Sequence, residues 1–250
     1  MNISKFRDLT FIDINNDQIM VIACDSAGAI GNKEMDIVKV EPDIVGYFTA
    51  QVALMEILAI GAEPITIVNT LSVEMDNTGK RIIEGIKRAT EPLNFPNTEI
   101  ITGSTEENFP AYQTGIGLTI IGIIEKKSWN PPKTIANTLA VVVGIPKVGN
   151  EVIKDKGREV LSIPHLLELK HNPDVYEILP VGSKGILHEL KEMARTNGLG
   201  FCLDDEMSLD IEKSAGPATC AIISINEKEY NNLKNNFPIP VEKIGRFIEN

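Results

Sequence analysis

The chain has 250 residues, 43% of them hydrophobic and 24% charged, with a formal net charge of −11. That length holds one large domain or two modest ones and needs no disulfide or metal staple, and the composition excludes a disordered or collagen-like chain. A surface this acidic repels a phosphodiester backbone, which argues against nucleic-acid binding and calls for a divalent cation beside any phosphorylated ligand.

In chain order, the N-terminus carries Lys5, Arg7, Asp8, Asp13 and Asp17 without a long apolar core, so no signal peptide is expected. Ile19–Cys24 is an apolar run of strand length. Glu41-Pro42-Asp43 reads as a helix start, and Gly61 as its C-terminal cap after Ile60. Ile65–Val73 is strand-like. Thr78 is placed to cap a second helix ending near Ala89, with Lys87 and Arg88 in its last turn. Glu99–Thr102 and Gly115–Ile124 read as strands, the latter rich in β-branched residues.

Lys126–Lys133 contains Pro131 and Pro132 between lysines and reads as a solvated linker. It separates an N-terminal domain, residues 1–127, from a C-terminal domain, residues 134–250. Beyond it, Leu139–Val143 is a strand, and Ile163–Leu169 and Gly185–Thr196 are helices. Ala218–Ile225 and Glu242–Ile248 are strands. The expected class is mixed α/β (α+β) in two units. Of the uncharged stretches, Ile44–Met55 is too short and Asn108–Ile124 too polar to span a membrane. Cys24, Cys202 and Cys220 are isolated, as expected of reduced thiols in a cytoplasmic protein.

Familiar chemical motifs are missing. No G-x-x-x-x-G-K-[ST] or G-x-S-x-G occurs, and Gly115-Ile116-Gly117 lies inside a strand pattern rather than between strand and helix. His165, His171 and His188 lack zinc spacing. Three acidic stations remain. Asp25 ends an apolar strand and leads into a small-residue segment with Gly28, Gly31 and Lys33. It is either an anion- or metal-binding loop or a capped turn. Glu56 is the one charged residue between Asp43 and Glu63, on a helix apolar on most faces. It either meets a metal ion or points to water along a narrow face. Gly103-Ser104-Thr105-Glu106 leaves a strand and either holds a phosphate with its Mg²⁺ or forms a solvated turn.

As an ordered set these stations resemble the aminoimidazole ribonucleotide (AIR) synthetase superfamily, which includes thiamine-monophosphate kinase and selenophosphate synthetase. Asp25–Lys33 is similar to its D-G-x-G-T-K-like loop, and Glu56–Ala62 to its D-x-x-A-M-G-A helix motif, with Glu where relatives often carry Asp. Gly103–Glu106 is similar to its G-G-[DE]-T-like turn. Gly144–Val152 looks like G-x-P-K-x-G-x-E-V, and Lys213–Pro217 and Ile244-Gly245 also fit. The C-terminal motif with Asp and paired glycines is present only as Gly182-Ser183-Lys184-Gly185. The wording around Cys24–Gly28, Gly103–Pro110 and Gln113–Gly117 looks most like members of the α-ribazole kinase type, which phosphorylate the riboside of the cobalamin lower ligand.

The resemblance implies a homodimer pairing its N-terminal sheets, with ATP bound near that interface and its γ-phosphate passed to a small, nucleoside-like acceptor. It makes Asp25 and Glu56 the expected catalytic pair, and Asp25, Glu56 and Glu106 the expected Mg²⁺ ligands. Lys33, Gly103, Ser104 and Thr105 are the expected nucleotide contacts. The alternatives are an ATP-dependent ligase or synthetase of the AIR synthetase kind and a non-catalytic nucleotide-binding dimer.

Overall fold

Ile3–Phe6 (β1), Leu9–Asp13 (β2) and Gln18–Gly28 (β3) form an antiparallel meander in a computed structural model that describes residues 2–93 and 100–250. After it come the short pair Ile30–Gly31 (β4) and Val38–Lys39 (β5), helix Pro42–Ala59 (α1), strand Glu63–Leu71 (β6) and helix Lys80–Thr90 (α2). Ile101–Thr105 (β7) and Gly115–Glu125 (β8) complete a six-stranded sheet of order β1-β2-β3-β8-β6-β7, antiparallel except for the β6–β7 pair. The expected strand over Glu99–Thr102 corresponds to β7 from Ile101, while Glu99 lies outside the described residues.

Pro42 stands in the first turn of α1, and Gly61 follows its end at φ +82°, a left-handed conformation that glycine adopts without strain. The helix buries residues around most of its circumference. It lies against the sheet through Ile57, and against α2 backbone to backbone. A Cβ on Gly46 would stand 2.0 Å from the Ile82 carbonyl oxygen, and one on Gly85 1.9 Å from that of Asp43. Arg81 and Arg88 lock the pair through Asp43, at 3.2 and 2.9 Å.

Thr78 does not cap α2. A π-turn over Met75–Gly79 precedes the helix, Gly79 takes the cap position, and the Thr78 hydroxyl donates to Glu74 at 2.5 Å. Thr78 lies inside that turn, one residue before the cap position, and its hydroxyl proton goes to the carboxylate one turn back.

The chain divides into compact units, Met1–Trp129 and Asn130–Asn250. Trp129, inside the expected linker, is half-buried: its Nε1–H donates to the Ile60 carbonyl at 2.9 Å, and its ring meets Phe11 edge-on at 6.1 Å. In the second unit, Leu139–Gly144 (β9), Val175–Pro180 (β10), Gly200–Leu203 (β11), Cys220–Ile225 (β12) and Val241–Ile248 (β13) form an antiparallel sheet of order β10-β12-β9-β13-β11. Helices Asn150–Asp155 (α3), Ile163–His171 (α4), Ile186–Asn197 (α5) and Glu227–Asn236 (α6) accompany it. Every residue of β9 and β12 is buried, so both faces of this sheet are covered. No helix among the described residues is long and apolar enough to cross a membrane.

Candidate functional site

Asp25 does not end its strand. β3 continues to Gly28 because β8 pairs with it throughout, Asp25 opposite Leu118 and Gly28 opposite Gly115. Alternation places Asp25 with Val21 and Ala23 on the face that carries α1, and Cys24 and Ser26 on the opposite face. Burial pushes the Asp25 carboxyl up from 3.8 to about 6, and a hydrogen bond from the Ser26 backbone offsets this only in part.

On the face away from α1, register aligns Ser26, Gly117, Thr70 and Ser104 in one row across β3, β8, β6 and β7. The next row is Cys24, Thr119, Val68 and Thr102. Cys24 Sγ lies 3.3 Å from Thr119 Oγ1. Cys24, Ser26, Thr70, Gly117 and Thr119 line a shallow groove of about 370 Å³ whose floor includes Asp25 and Leu118. Gly117 keeps the groove open, since a Cβ there would stand 2.7 Å from Thr70 Oγ1. Farther along the same face the rows turn apolar, with Ile22 and Met20 beside Ile121 and Ile123.

Gly103, Ser104 and Thr105 lie within β7 rather than in a turn after it, because their backbone pairs with Asn69, Thr70 and Leu71 of β6. They therefore face alternate ways. Ser104 joins the hydroxyl row, about 14 Å and three strand spacings from Ser26, while Gly103 and Thr105 turn to the helix side. A Cβ on Gly103 would meet the Asn69 carbonyl oxygen at 2.1 Å, so this glycine is required by close packing.

Lys33 follows β4 and is already engaged, its Nζ 2.5 Å from Glu74 Oε2. Burial would raise the Glu74 carboxyl, but hydrogen bonds from Lys33 and Thr78 outweigh it and hold Glu74 below the usual range. Buried Asp36 fixes this loop by accepting from the Lys33 and Thr114 backbone N–H groups and the Thr114 hydroxyl. Gly31 makes room for Thr114. Its Cβ would stand 2.2 Å from Thr114 Oγ1. Glu106 follows β7, and its carboxylate accepts the Asn108 backbone N–H at 2.7 Å. Glu56 is half-buried in the last third of α1, where neighbouring Ile57 packs at Gly122 of β8. Gly122 pairs with Val21, four residues before Asp25 on β3.

Asp25, Glu56 and Glu106 thus stand on separate elements. Among the described residues no three His, Cys, Asp or Glu side chains gather as a metal site. A single carboxylate still fits Mg²⁺, which commonly takes one or two protein carboxylates and completes its shell with phosphate oxygens and water. Asp25 suits that role, since burial disfavours its charged form until a cation adjoins it. Ser26, Thr70 and Thr119 were not singled out from the sequence; the signal was present in the Gly-x-Gly alternation of Gly115–Thr119, which leaves open floor between hydroxyl-bearing strands. In the second unit, Lys147 of the G-x-P-K segment is a structural cation, bound to buried Asp155 and to Glu159.

Residues 7–124 match the family model described as AIR synthase related protein, N-terminal domain. Among the curated proteins none matches the sequence. Several solved structures share the fold. The thiamine monophosphate kinase of Aquifex aeolicus is 15% identical, with 93% of this chain and 86% of that one covered and a TM-score of 0.60. A structure described as AaThiL complexed with AMPPCP and TMP is 15% identical over 97% of this chain and 85% of that one, with a TM-score of 0.61. T. maritima PurL complexed with ADP is 17% identical with a TM-score of 0.64; the match covers 96% of this chain but 42% of PurL.

Proposed function

We propose, from a first unit that belongs to the AIR synthase related protein family over residues 7–124, that this chain is an ATP- and Mg²⁺-dependent phosphotransferase. Its acceptor is a small nucleoside-like molecule, with α-ribazole the first to test. The observation that carries the reading is Asp25, a carboxylate raised to about 6 by burial within a sheet whose opposite face bears a groove of hydroxyls. Fold neighbours solved with AMPPCP and ADP support it.

Transfer of a phosphoryl group requires positioning and charge neutralisation more than covalent chemistry from the protein. Mg²⁺, held by Asp25, would neutralise phosphate charge beside an acidic protein. Ser26, Thr70 and Ser104 face the other side of the sheet from Asp25, so their hydroxyls would meet a part of the ligands other than the metal-bound phosphates. Lys33 reaches phosphate only by exchanging its bond with Glu74, so it is an orienting contact that ligand must compete for. Glu56 and Glu106 are assigned as further acidic contributors. The apolar rows around Ile22 and Ile121 suit a second copy of the chain, giving a homodimer. The free thiols suit the reducing cytoplasm.

The experiment is phosphorus NMR of products from α-ribazole and a panel of nucleosides incubated with ATP–Mg²⁺. A stable phosphate ester supports the kinase. Turnover that needs an amine and closes a ring replaces it with a synthetase, and ATP binding without turnover on any acceptor replaces it with a binding module.

A further inference from the structure

Four of the chain's exposed large apolar side chains sit on two adjoining loops of the first unit. Met35 and Ile37 are 60% and 81% exposed, Phe109 and Tyr112 76% and 59%. Mobile loops often carry such residues singly, but here the backbone beneath Met35, Ile37 and Tyr112 is fastened. Met35 N–H donates to the Tyr112 carbonyl at 2.9 Å, Gln113 Nε2 to the Met35 carbonyl at 2.8 Å, and Ile37 N–H to the Ala29 carbonyl at 2.8 Å. Asp36, between Met35 and Ile37, takes both polar hydrogens of Thr114. Lys39 Nζ ties the same loop through the Glu34 carbonyl at 2.9 Å. Apolar groups held rigidly in water, with an aromatic ring among them, form a ready surface for a flat ligand.

We infer that the Met35–Tyr112 platform binds the heteroaromatic ring of the acceptor, and that this ring is neutral or cationic. The inference rests on the phosphotransferase reading and names its substrate class. Charge selects the occupant. Glu34, Glu106 and Glu107 flank the two loops; Lys33 is paired with Glu74, and Lys39, held by backbone carbonyls, is outnumbered by these carboxylates. An anionic ring, or a phosphate without its metal ion, is disfavoured there. A second copy of a chain with net charge −11 is likewise disfavoured at an acidic rim, whereas an uncharged ring with an aliphatic, thioether and aromatic bed meets no such opposition. Position agrees. Tyr112 stands five residues before Gly117 of the hydroxyl groove, so platform and groove are at most about 18 Å apart along the chain.

The test titrates α-ribazole, adenosine and uridine 5′-monophosphate calorimetrically into wild type, Tyr112→Phe and Tyr112→Ala, with ATP–Mg²⁺ thermal shifts and light scattering on each protein. The expected result is binding of at least one of the two uncharged ribosides by wild type and by Tyr112→Phe. Tyr112→Ala should bind it about tenfold or more weakly, as loss of a stacking partner requires. The monophosphate should bind more weakly than the ribosides, and the ATP–Mg²⁺ shift and molecular mass should be the same in all three proteins. Unchanged riboside affinity in Tyr112→Ala, no riboside binding by wild type, preference for the anionic nucleotide, or a changed molecular mass in Tyr112→Ala overturns the inference. Absence of the ATP–Mg²⁺ shift in wild type defeats the phosphotransferase reading instead, and the riboside titration still decides the platform.

Discussion

Replacing Asp25 with Asn tests the proposed site through stability alone, before any acceptor is known. Burial moves this carboxyl from 3.8 to about 6, so the folded protein holds its proton more tightly than the unfolded chain does. Stability therefore falls as pH rises from about 4 through about 6 and stays lowered above that window. The displacement corresponds to about 3 kcal/mol at pH 7.5. Asn cannot ionise, so Asp25→Asn escapes that cost. Without nucleotide and with a chelator present, the variant should match wild type near pH 4 and exceed it by about 2–3 kcal/mol at pH 7.5. Other carboxylates titrate in both proteins, and the difference between the two isolates Asp25. Denaturant melts at the two pH values measure it. Adding ATP–Mg²⁺ at pH 7.5 should then close the gap, because a ligand stabilises only through its affinity for the native state and Asn is a poor metal ligand. A variant-to-wild-type difference that ignores pH refutes the burial argument. A gap that persists at saturating ATP–Mg²⁺ removes Asp25 as the metal ligand.

Gly46→Ala places a methyl 2.0 Å from the Ile82 carbonyl oxygen and should cost more than about 2 kcal/mol by prising α1 from α2; a melting temperature equal to wild type shows that the helices separate freely. Ile121→Glu puts a charge in the apolar rows opposite Ile22 and should leave a monomer by light scattering, where wild type is expected to run as a dimer of the 27.4 kDa chain; a wild-type monomer at micromolar concentration rejects the dimer. Glu56→Gln should shrink the thermal shift produced by ATP–Mg²⁺, and an equal shift in both proteins strikes Glu56 from the site.

Elements whose ends are written locally were legible. Pro42 and Gly61 bracket α1, and the β-branched run Gly115–Ile124 is β8 within a residue. Elements whose existence depends on partners were not. β1 exposes nearly all of its residues and has no apolar face to read, and α6 buries only Leu233. Asp25-Ser26-Ala27-Gly28 consists mostly of poor strand formers, so the expectation of a loop followed propensity; pairing with Gly115–Leu118 overrode it. The nucleotide contacts divided for a related reason. Consecutive residues of a strand face opposite ways, so once Gly103–Thr105 proved to be strand, only Ser104 could share a face with Ser26 and Thr70. The engagement of Lys33 was invisible because Glu74 lies 41 residues away.

Trp129 is the only tryptophan in the chain. Its ring rests against Phe11, and its N–H is given to the carbonyl of Ile60 at the end of α1. Both partners belong to the unit Met1–Trp129. Intrinsic indole fluorescence is therefore an optical reporter on that unit alone. Unfolding it releases the indole to water and shifts the emission to longer wavelength, while melting of Asn130–Asn250 is silent in that channel and appears only in far-ultraviolet circular dichroism. The two spectra, recorded on one sample, separate the stability of the proposed ATP-binding unit from that of its neighbour without any engineered label.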